Sequence, residues 1–214
     1  MVVARSTRAS RKAKRPQWIV LATFGLIAVP LMITGIWIGG SVRDQTKGVA
    51  AGLLGRQIGG KFTLIDDNGR PFTDADLKGK WHLVFFGYSH CPDICPTALN
   101  DLSLALDQLG TREREVGIVF ISVDPERDTP AVLKSYVASF GGPIVGLTGT
   151  AAKIAEAAKA YQVFYAKHPT ADGGYDMDHS AVIYIMDPEG RFTATFGPDD
   201  TTEKMVGRLR TLLR

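Results

Sequence analysis

The sequence predicts an α/β domain in which a central mixed sheet is flanked by helices. Short apolar runs typical of buried strands alternate with segments whose apolar residues recur at helical spacing, which indicates parallel strands joined by helices. Near the C-terminus two strand patterns follow each other with only a turn between them, which predicts antiparallel strands added to the parallel core. A further hairpin pattern precedes the first buried strand and predicts an N-terminal extension.

The first predicted elements are a hairpin, a buried strand and a helix. Residues 67–69 (D-N-G) are a turn sequence between two short strand patterns, so residues 62–73 are expected to form a hairpin. Residues 81–87 are almost continuously apolar, as in a strand buried on both faces. Residues 96–110 are expected to form a helix, because one apolar stripe runs along them: Leu99, Leu102, Leu106 and Leu109.

The alternation of strand and helix then repeats. Residues 116–123 and 144–147 are apolar and are predicted to be buried strands. Each is followed by a helical pattern, over residues 129–140 and over residues 150–161, and a threonine opens each pattern as a candidate capping residue. The sequence therefore predicts two further strand–helix units after the first.

The C-terminal part predicts a loop, a hairpin and a closing helix. Residues 163–166 are expected to be a short strand or an extended segment, and residues 167–178 a polar loop. Residues 180–186 and 192–196 flank a D-P-E-G turn and are expected to form a hairpin. Residues 201–213 carry a helical apolar pattern that closes the domain.

The order of these elements fits a thioredoxin-like fold, with the only two cysteines at the end of the first central strand. The folded domain is expected to span residues 58–214. A hydrophobic fraction of 45% and a charged fraction of 22% are those of a globular protein.

The N-terminal region predicts a membrane anchor. Residues 1–17 form a basic tail that contains six Lys or Arg and no acid, and residues 18–38 carry no charged side chain. A helix over 18–38 would be about 30 Å long, which matches the hydrocarbon thickness of a bilayer. Residues 39–57 are glycine-rich and are expected to be a tether. Without the six tail residues, 19 basic residues remain against 22 acidic ones, so the basic pI does not indicate a nucleic-acid partner.

The basic tail is expected to stay in the cytoplasm by the positive-inside rule, which places the C-terminal domain outside. We therefore expect a single-pass protein of the inner (cytoplasmic) membrane with this domain in the periplasm. Two alternatives remain open. One is a cleaved signal peptide with residues 39–41 (G-G-S) as a weak cleavage site. The other is a span in the mitochondrial inner membrane, with the domain facing the intermembrane space.

Cys91 and Cys95 are expected at the start of the first long helix, with Pro96 at its first helical position. Residues four apart can face the same side of a helix, and a helix N-terminus stabilises thiolates. The pair can therefore bind a soft metal, or form a disulfide that is either redox-active or static. Structural zinc is disfavoured because it needs four protein ligands, whereas Cu(I) accepts two thiolates and one imidazole.

The four histidines are the candidates for a third ligand. His82 lies within the first buried strand pattern, His90 adjoins Cys91, and His168 lies in the polar loop. His179 precedes the last hairpin, whose first strand begins close to the active-site loop in a thioredoxin-like sheet. Geometry therefore favours His179, and an ordinary loop histidine is the alternative.

Three motifs make the sequence resemble a known family. Residues 91–96 read C-P-D-I-C-P, residues 123–130 read V-D-P-E-R-D-T-P, and residues 175–180 read Y-D-M-D-H-S. With the single N-terminal span, these motifs resemble the Sco/SenC family of copper-binding assembly factors for cytochrome c oxidase. The resemblance covers residues 58–214 and implies a thioredoxin-like domain that faces the periplasm or the intermembrane space.

The resemblance also implies a ligand set and partners. Copper, as Cu(I) and/or Cu(II), would be bound by Cys91, Cys95 and His179. The chain would act as a metallochaperone for the CuA centre of cytochrome c oxidase subunit II, with another copper chaperone as a donor. Asp93 and Asp178 match the family and are expected to orient the ligands. The alternatives for them are a helix-capping Asp93 and a solvated Asp178.

Two other functions compete with copper delivery. A thiol-disulfide oxidoreductase would use Cys91 to attack and Cys95 to resolve, and would reduce the CuA cysteines. Such enzymes of this fold have two residues between the cysteines and a proline before the later strand, and this chain has neither. A peroxiredoxin-type peroxidase needs a proline and a threonine where this chain has Val84 and Tyr88. Residues 124–129 are expected to be a structural loop and helix cap rather than a partner surface.

Overall fold

The computed structural model describes residues 58–171 and 173–214. The expected basic tail (1–17), membrane span (18–38) and tether (39–57) lie outside the described residues and stay predictions. Within the described ranges, no helix is both long and apolar enough to cross a membrane.

A mixed sheet forms the centre of the described domain. The strands, in chain order, are β1 Thr63–Asp66, β2 Pro71–Thr73, β3 Trp81–Gly87, β4 Val116–Ser122, β5 Ile144–Thr148, β6 Tyr165–Pro169, β7 Tyr175–His179, β8 Ile183–Met186 and β9 Phe192–Phe196. Seven of them form one sheet in the order β2-β1-β5-β4-β3-β8-β9, and β6 pairs with β7 alone. Strands β3, β4 and β5 are parallel, whereas β8, β9, β1 and β2 add antiparallel. This arrangement confirms the predicted thioredoxin-like α/β sheet with an N-terminal hairpin.

The helices agree with the apolar periodicity of the sequence. They are α1 Ile94–Asp107, α2 Pro130–Ala138, α3 Ala151–Tyr161 and α4 Thr202–Leu212. Thr129, Thr150 and Thr201 precede the last three of them. Each threonine side chain accepts a hydrogen bond from the backbone N–H three residues further on. These caps satisfy N–H groups that have no partner inside the helix, and they fix where each helix begins.

The start of α1 differs from the prediction. The helix begins at Ile94, so Pro96 is its third residue rather than its first. Proline is tolerated there because the N–H groups of the whole first turn lack partners within the helix. Cys95 therefore lies inside the first turn, and Cys91 precedes the helix.

The prediction of a polar loop over residues 167–178 is wrong. Strands β6 and β7 form an antiparallel hairpin, in which Tyr165 lies opposite His179 and Pro169 lies opposite Tyr175. Most residues of this hairpin are exposed or half-buried, so the sequence lacks the alternation that marks a strand with one buried face. His179 is consequently the last residue of a strand rather than part of a loop.

The core holds the C-terminal end of β3 in place. Strand β4 is buried along its whole length, and in β3 only Trp81 is partly exposed. The apolar stripe of α1 is buried as predicted. Burial of one such leucine contributes about 2 kcal/mol, so the strand end and the helix that flank the cysteines are stably positioned.

Candidate metal centre

The cysteine loop connects the end of β3 to the first turn of α1. Cys91 is half-buried, whereas Cys95 is 0% exposed. The backbone N–H of Cys91 donates to the carbonyl oxygen of Tyr88 at 3.2 Å, which tightens the turn. The backbone N–H of Cys95 donates to Sγ of Cys91 at 3.4 Å. The sulfur of Cys91 thus lies at a helix N-terminus, where a negative charge is stabilised.

The two thiols have opposite proton affinities. A hydrogen bond with Cys95 lowers the pKa of Cys91 to about 4, against the opposing effect of partial burial. The same hydrogen bond, together with complete burial, raises the pKa of Cys95. Both cysteines are free in the structure. The pair therefore shares one proton, with Cys91 as thiolate and Cys95 as thiol at neutral pH.

His179 faces this pair from the end of β7. Its Nε2 lies 3.3 Å from Sγ of Cys95. Its Nδ1 lies 3.3 Å from the carbonyl oxygen of Ser180, which can accept a hydrogen bond from it. The rings of Phe85 and Tyr88 each lie 5.9 Å from the imidazole and meet it edge-on. Nε2 is therefore the ring nitrogen that lies beside the sulfur of Cys95 and is available to bind a metal.

One ligand atom from each of Cys91, Cys95 and His179 lies within 4.8 Å of the other two, and this group could hold a metal ion. Two sulfurs and one imidazole nitrogen are a soft donor set that suits Cu(I). The same three residues were named from the sequence, and the fold brings them together although His179 follows Cys95 by 84 positions.

The other histidines lie elsewhere. His82 is buried in β3, where desolvation lowers its pKa to about 4, and its Nδ1 lies 3.1 Å from the carbonyl oxygen of Lys80. His90 is exposed, with Nδ1 3.0 Å from the Ser89 hydroxyl. His168 is also exposed and pairs with Asp178. None of these three belongs to the group of ligand atoms found in the described residues.

The two aspartates beside the ligands are exposed. Asp93 stands at the N-cap position of α1, yet its side chain makes no capping hydrogen bond, so the capping alternative is not supported. Asp178 pairs with Nε2 of His168 across the β6–β7 hairpin at 2.8 Å. An exposed pair of this kind contributes little to stability. The expected role of Asp93 and Asp178 in orienting the ligands stays a proposal.

Comparisons with known proteins agree with this geometry. A family model described as SCO1/SenC matches residues 51–214. The chain belongs to the SCO1/SenC family. The mitochondrial protein SCO1 homolog 1 of Arabidopsis thaliana is 42% identical over 158 residues, which cover 72% of this chain and 47% of that protein. The chain spans about half the length of the first curated relatives it matches.

Solved Sco structures share the fold. Bradyrhizobium japonicum ScoI with copper bound is 49% identical, with a TM-score of 0.68, and the match covers 72% of this chain and 98% of that one. Yeast Sco1 with copper bound is 39% identical, also with a TM-score of 0.68, covering 73% and 88% of the two chains. These relatives bind copper on the same fold.

Sequence reasoning missed one residue that packs directly against the site. Gly87 ends β3, and a Cβ there would lie 2.5 Å from Sγ of Cys95 and 2.8 Å from a ring carbon of Phe120. Only a residue without a side chain leaves room for the sulfur. A glycine that ends an otherwise apolar strand often marks such a close approach, and this signal was present in the sequence.

Proposed function

We propose that this chain binds copper through Sγ of Cys91, Sγ of Cys95 and Nε2 of His179, and delivers it to the CuA centre of cytochrome c oxidase subunit II. The convergence of these three soft donor atoms within 4.8 Å carries the proposal. The copper-bound structures of its relatives support it. Sco proteins are cytochrome c oxidase assembly proteins, which supports the oxidase as the partner.

The protonation of the two thiols suits the binding and release of Cu(I). Because the pKa of Cys91 is lowered and that of Cys95 is raised, Cys95 is the thiol that must lose its proton when the metal binds. Two thiolates and a neutral imidazole then give Cu(I) a site with a net charge of about −1. A thiolate of the acceptor can replace one ligand while the others stay bound. Cys91 and His179 are both partly exposed, so an acceptor can reach either of them before the buried Cys95.

We also propose that the N-terminal region anchors this activity at a membrane. We propose that residues 18–38 anchor the chain in the inner membrane, with residues 1–17 in the cytoplasm. Residues 39–57 would tether the domain of residues 58–214 on the periplasmic side. The charge pattern of the sequence supports this orientation. Another copper chaperone would then act as the donor on that side.

Thiol-disulfide exchange is the second candidate function, and one observation favours it. The half-buried thiolate of Cys91 and the fully buried thiol of Cys95 are the division between attacking and resolving cysteine that such an enzyme needs. Cys91 would attack a disulfide of the partner, and Cys95 would then release the reduced partner by forming a disulfide with Cys91. Two electrons pass from the thiol pair to the partner.

Variants at the two kinds of ligand separate these functions. His179→Ala retains both thiols but removes the imidazole. Cys95→Ser removes a thiol that both copper binding and thiol-disulfide exchange need. Each variant is expressed in cells that lack the wild-type protein, and oxidase activity is measured with and without added copper. Copper delivery predicts low activity for both variants, restored by copper. Full activity of His179→Ala without added copper would contradict copper delivery and support thiol reduction.

A further inference from the structure

We propose that the loop joining β4 to α2, residues 123–129, fixes the cysteine loop and β7 at the separation that copper binding requires. This segment is called the acidic loop below. The inference rests on the proposed function and deepens it, because it assigns a positioning role to residues that touch none of the metal ligands' donor atoms. Two buried aspartates of the acidic loop contact opposite halves of the site.

Asp128 holds the cysteine loop. Its carboxylate is 0% exposed and accepts hydrogen bonds from the backbone N–H of Ser89 at 3.0 Å, from the Ser89 hydroxyl and from the hydroxyl of Ser122. Among the described residues its only ion-pair partner is the exposed His90, at 3.9 Å. A buried carboxylate without a close cationic partner is tolerated only where hydrogen-bond donors contact its oxygens. These donors fix Ser89, which lies two positions before Cys91.

Asp124 and Arg127 hold the other half. Asp124 is 3% exposed, pairs with Nε of Arg127 and accepts a hydrogen bond from the Tyr175 hydroxyl at 2.8 Å. Nη1 of Arg127 donates to the carbonyl oxygen of Tyr175 at 3.0 Å, and the guanidinium lies 3.8 Å from the centre of that ring. Tyr175 is the first residue of β7, and His179 is the last. This ion pair therefore fixes the first residue of the strand that carries the imidazole, while β6 pairs with its other end.

The two halves are connected within the acidic loop. The backbone N–H of Asp128 donates to the carbonyl oxygen of Asp124 at 2.9 Å. The guanidinium of Arg127 also lies 5.7 Å from the centre of the Tyr88 ring, which meets the imidazole of His179 edge-on. A buried hydrogen-bonded network of this kind rigidifies the groups it joins, although Nη2 of Arg127 has no hydrogen-bond partner among the described residues. The acidic loop thus sets the distance between the two thiols and the imidazole in the metal-free protein.

A double-mutant cycle tests the contacts between the acidic loop and β7. Arg127→Lys keeps the charge but loses the planar stacking and the paired donors. We expect it to weaken Cu(I) affinity of the full chain by about tenfold, the size typical of groups that orient a ligand. In the His179→Ala background the same change is expected to have almost no effect, because its action passes through the imidazole. Equal losses in both backgrounds would overturn the proposal.

Three further variants sharpen the test. Asp128→Asn acts on the cysteine side, so its loss of affinity is expected in both backgrounds. Lys167→Gln is the control for an exposed contact of the same loop, because Lys167 lies 3.7 Å from the centre of the Tyr175 ring and pairs with Glu126, but both charged side chains are exposed. Its effect on affinity is expected to stay within about twofold. Tyr175→Phe removes only the hydroxyl that Asp124 accepts from, and it replaces Arg127→Lys if that variant does not fold.

A metal-free measurement separates this proposal from the proposed function. Amide hydrogen exchange of residues 175–179 is expected to speed up in Arg127→Lys, while β8 keeps its protection. If the wild-type chain binds no copper, the proposed function fails, and the exchange data still decide whether the acidic loop holds β7. Unchanged exchange in β7 would overturn the positioning role even if copper binding is normal.

Discussion

The sulfur of Cys95 lies 3.3 Å from Nε2 of His179, although the two residues are 84 positions apart in the chain. The proximity follows from the sheet. Strand β8 pairs antiparallel with β3, so the chain enters β8 at the edge where β3 ends and the cysteine loop begins. His179 lies just before β8 and is held there by β6. Two short-range sequence motifs thus become one site through strand order.

Gly87→Ala is expected to damage the site without changing any charge. The new Cβ would lie 2.5 Å from Sγ of Cys95 and 2.8 Å from the Phe120 ring, so the sulfur must move. Overpacking of this kind costs about 1–3 kcal/mol of stability. We expect a lower free energy of unfolding in denaturant and a weaker Cu(I) affinity. Gly207→Ala is the control, because no atom lies within 4 Å of the added carbon. Equal copper affinity in Gly87→Ala and wild type would refute the steric argument.

Alkylation rates report the shared proton of the two thiols. Because the pKa of Cys91 is lowered to about 4, its thiolate is fully formed above about pH 6, and its rate with iodoacetamide should be flat from there to pH 8. An ordinary thiol, with a pKa near 8.5, would react about tenfold faster for each pH unit in that range. Cys95 is expected to react slowly, because it is buried. Mass mapping of the modified residues measures both rates, and a steep rise for Cys91 would contradict the assignment.

Acid should destabilise the domain partly through His82. Its pKa falls from 6.5 to about 4 in the fold, so the folded state holds the neutral ring while the unfolded chain takes up a proton below about pH 6.5. The buried His82 therefore lowers stability only in acid: its effect is absent above pH 6.5 and grows as the pH falls toward 4. The loss amounts to about 3 kcal/mol. Urea unfolding between pH 7 and 4 should show that the free energy of unfolding of the wild type falls relative to that of His82→Gln as the pH is lowered. A constant difference would rule this out.

The sequence was informative where physical signals are local. Apolar periodicity and capping threonines predicted the sheet and its helices, since each depends on neighbouring residues. Strand order favoured His179 as the partner of Cys91 and Cys95, and the resemblance to the Sco/SenC family implied the full ligand set. The β6–β7 hairpin was missed because its faces are mostly exposed and leave no alternation to detect. The links of Asp124 and Asp128 to Tyr175 and Ser89 were hidden because they are tertiary contacts.

We expect copper to be bound by two sulfurs and one imidazole nitrogen of this chain. The most direct test is a Cu(I) titration of the reduced full chain against a chromophoric competitor, combined with X-ray absorption at the copper edge. We predict one copper per chain, coordinated by two sulfurs and one nitrogen, with the nitrogen lost in His179→Ala. One-to-one binding that persists in the Cys91→Ser, Cys95→Ser double variant would contradict the claim.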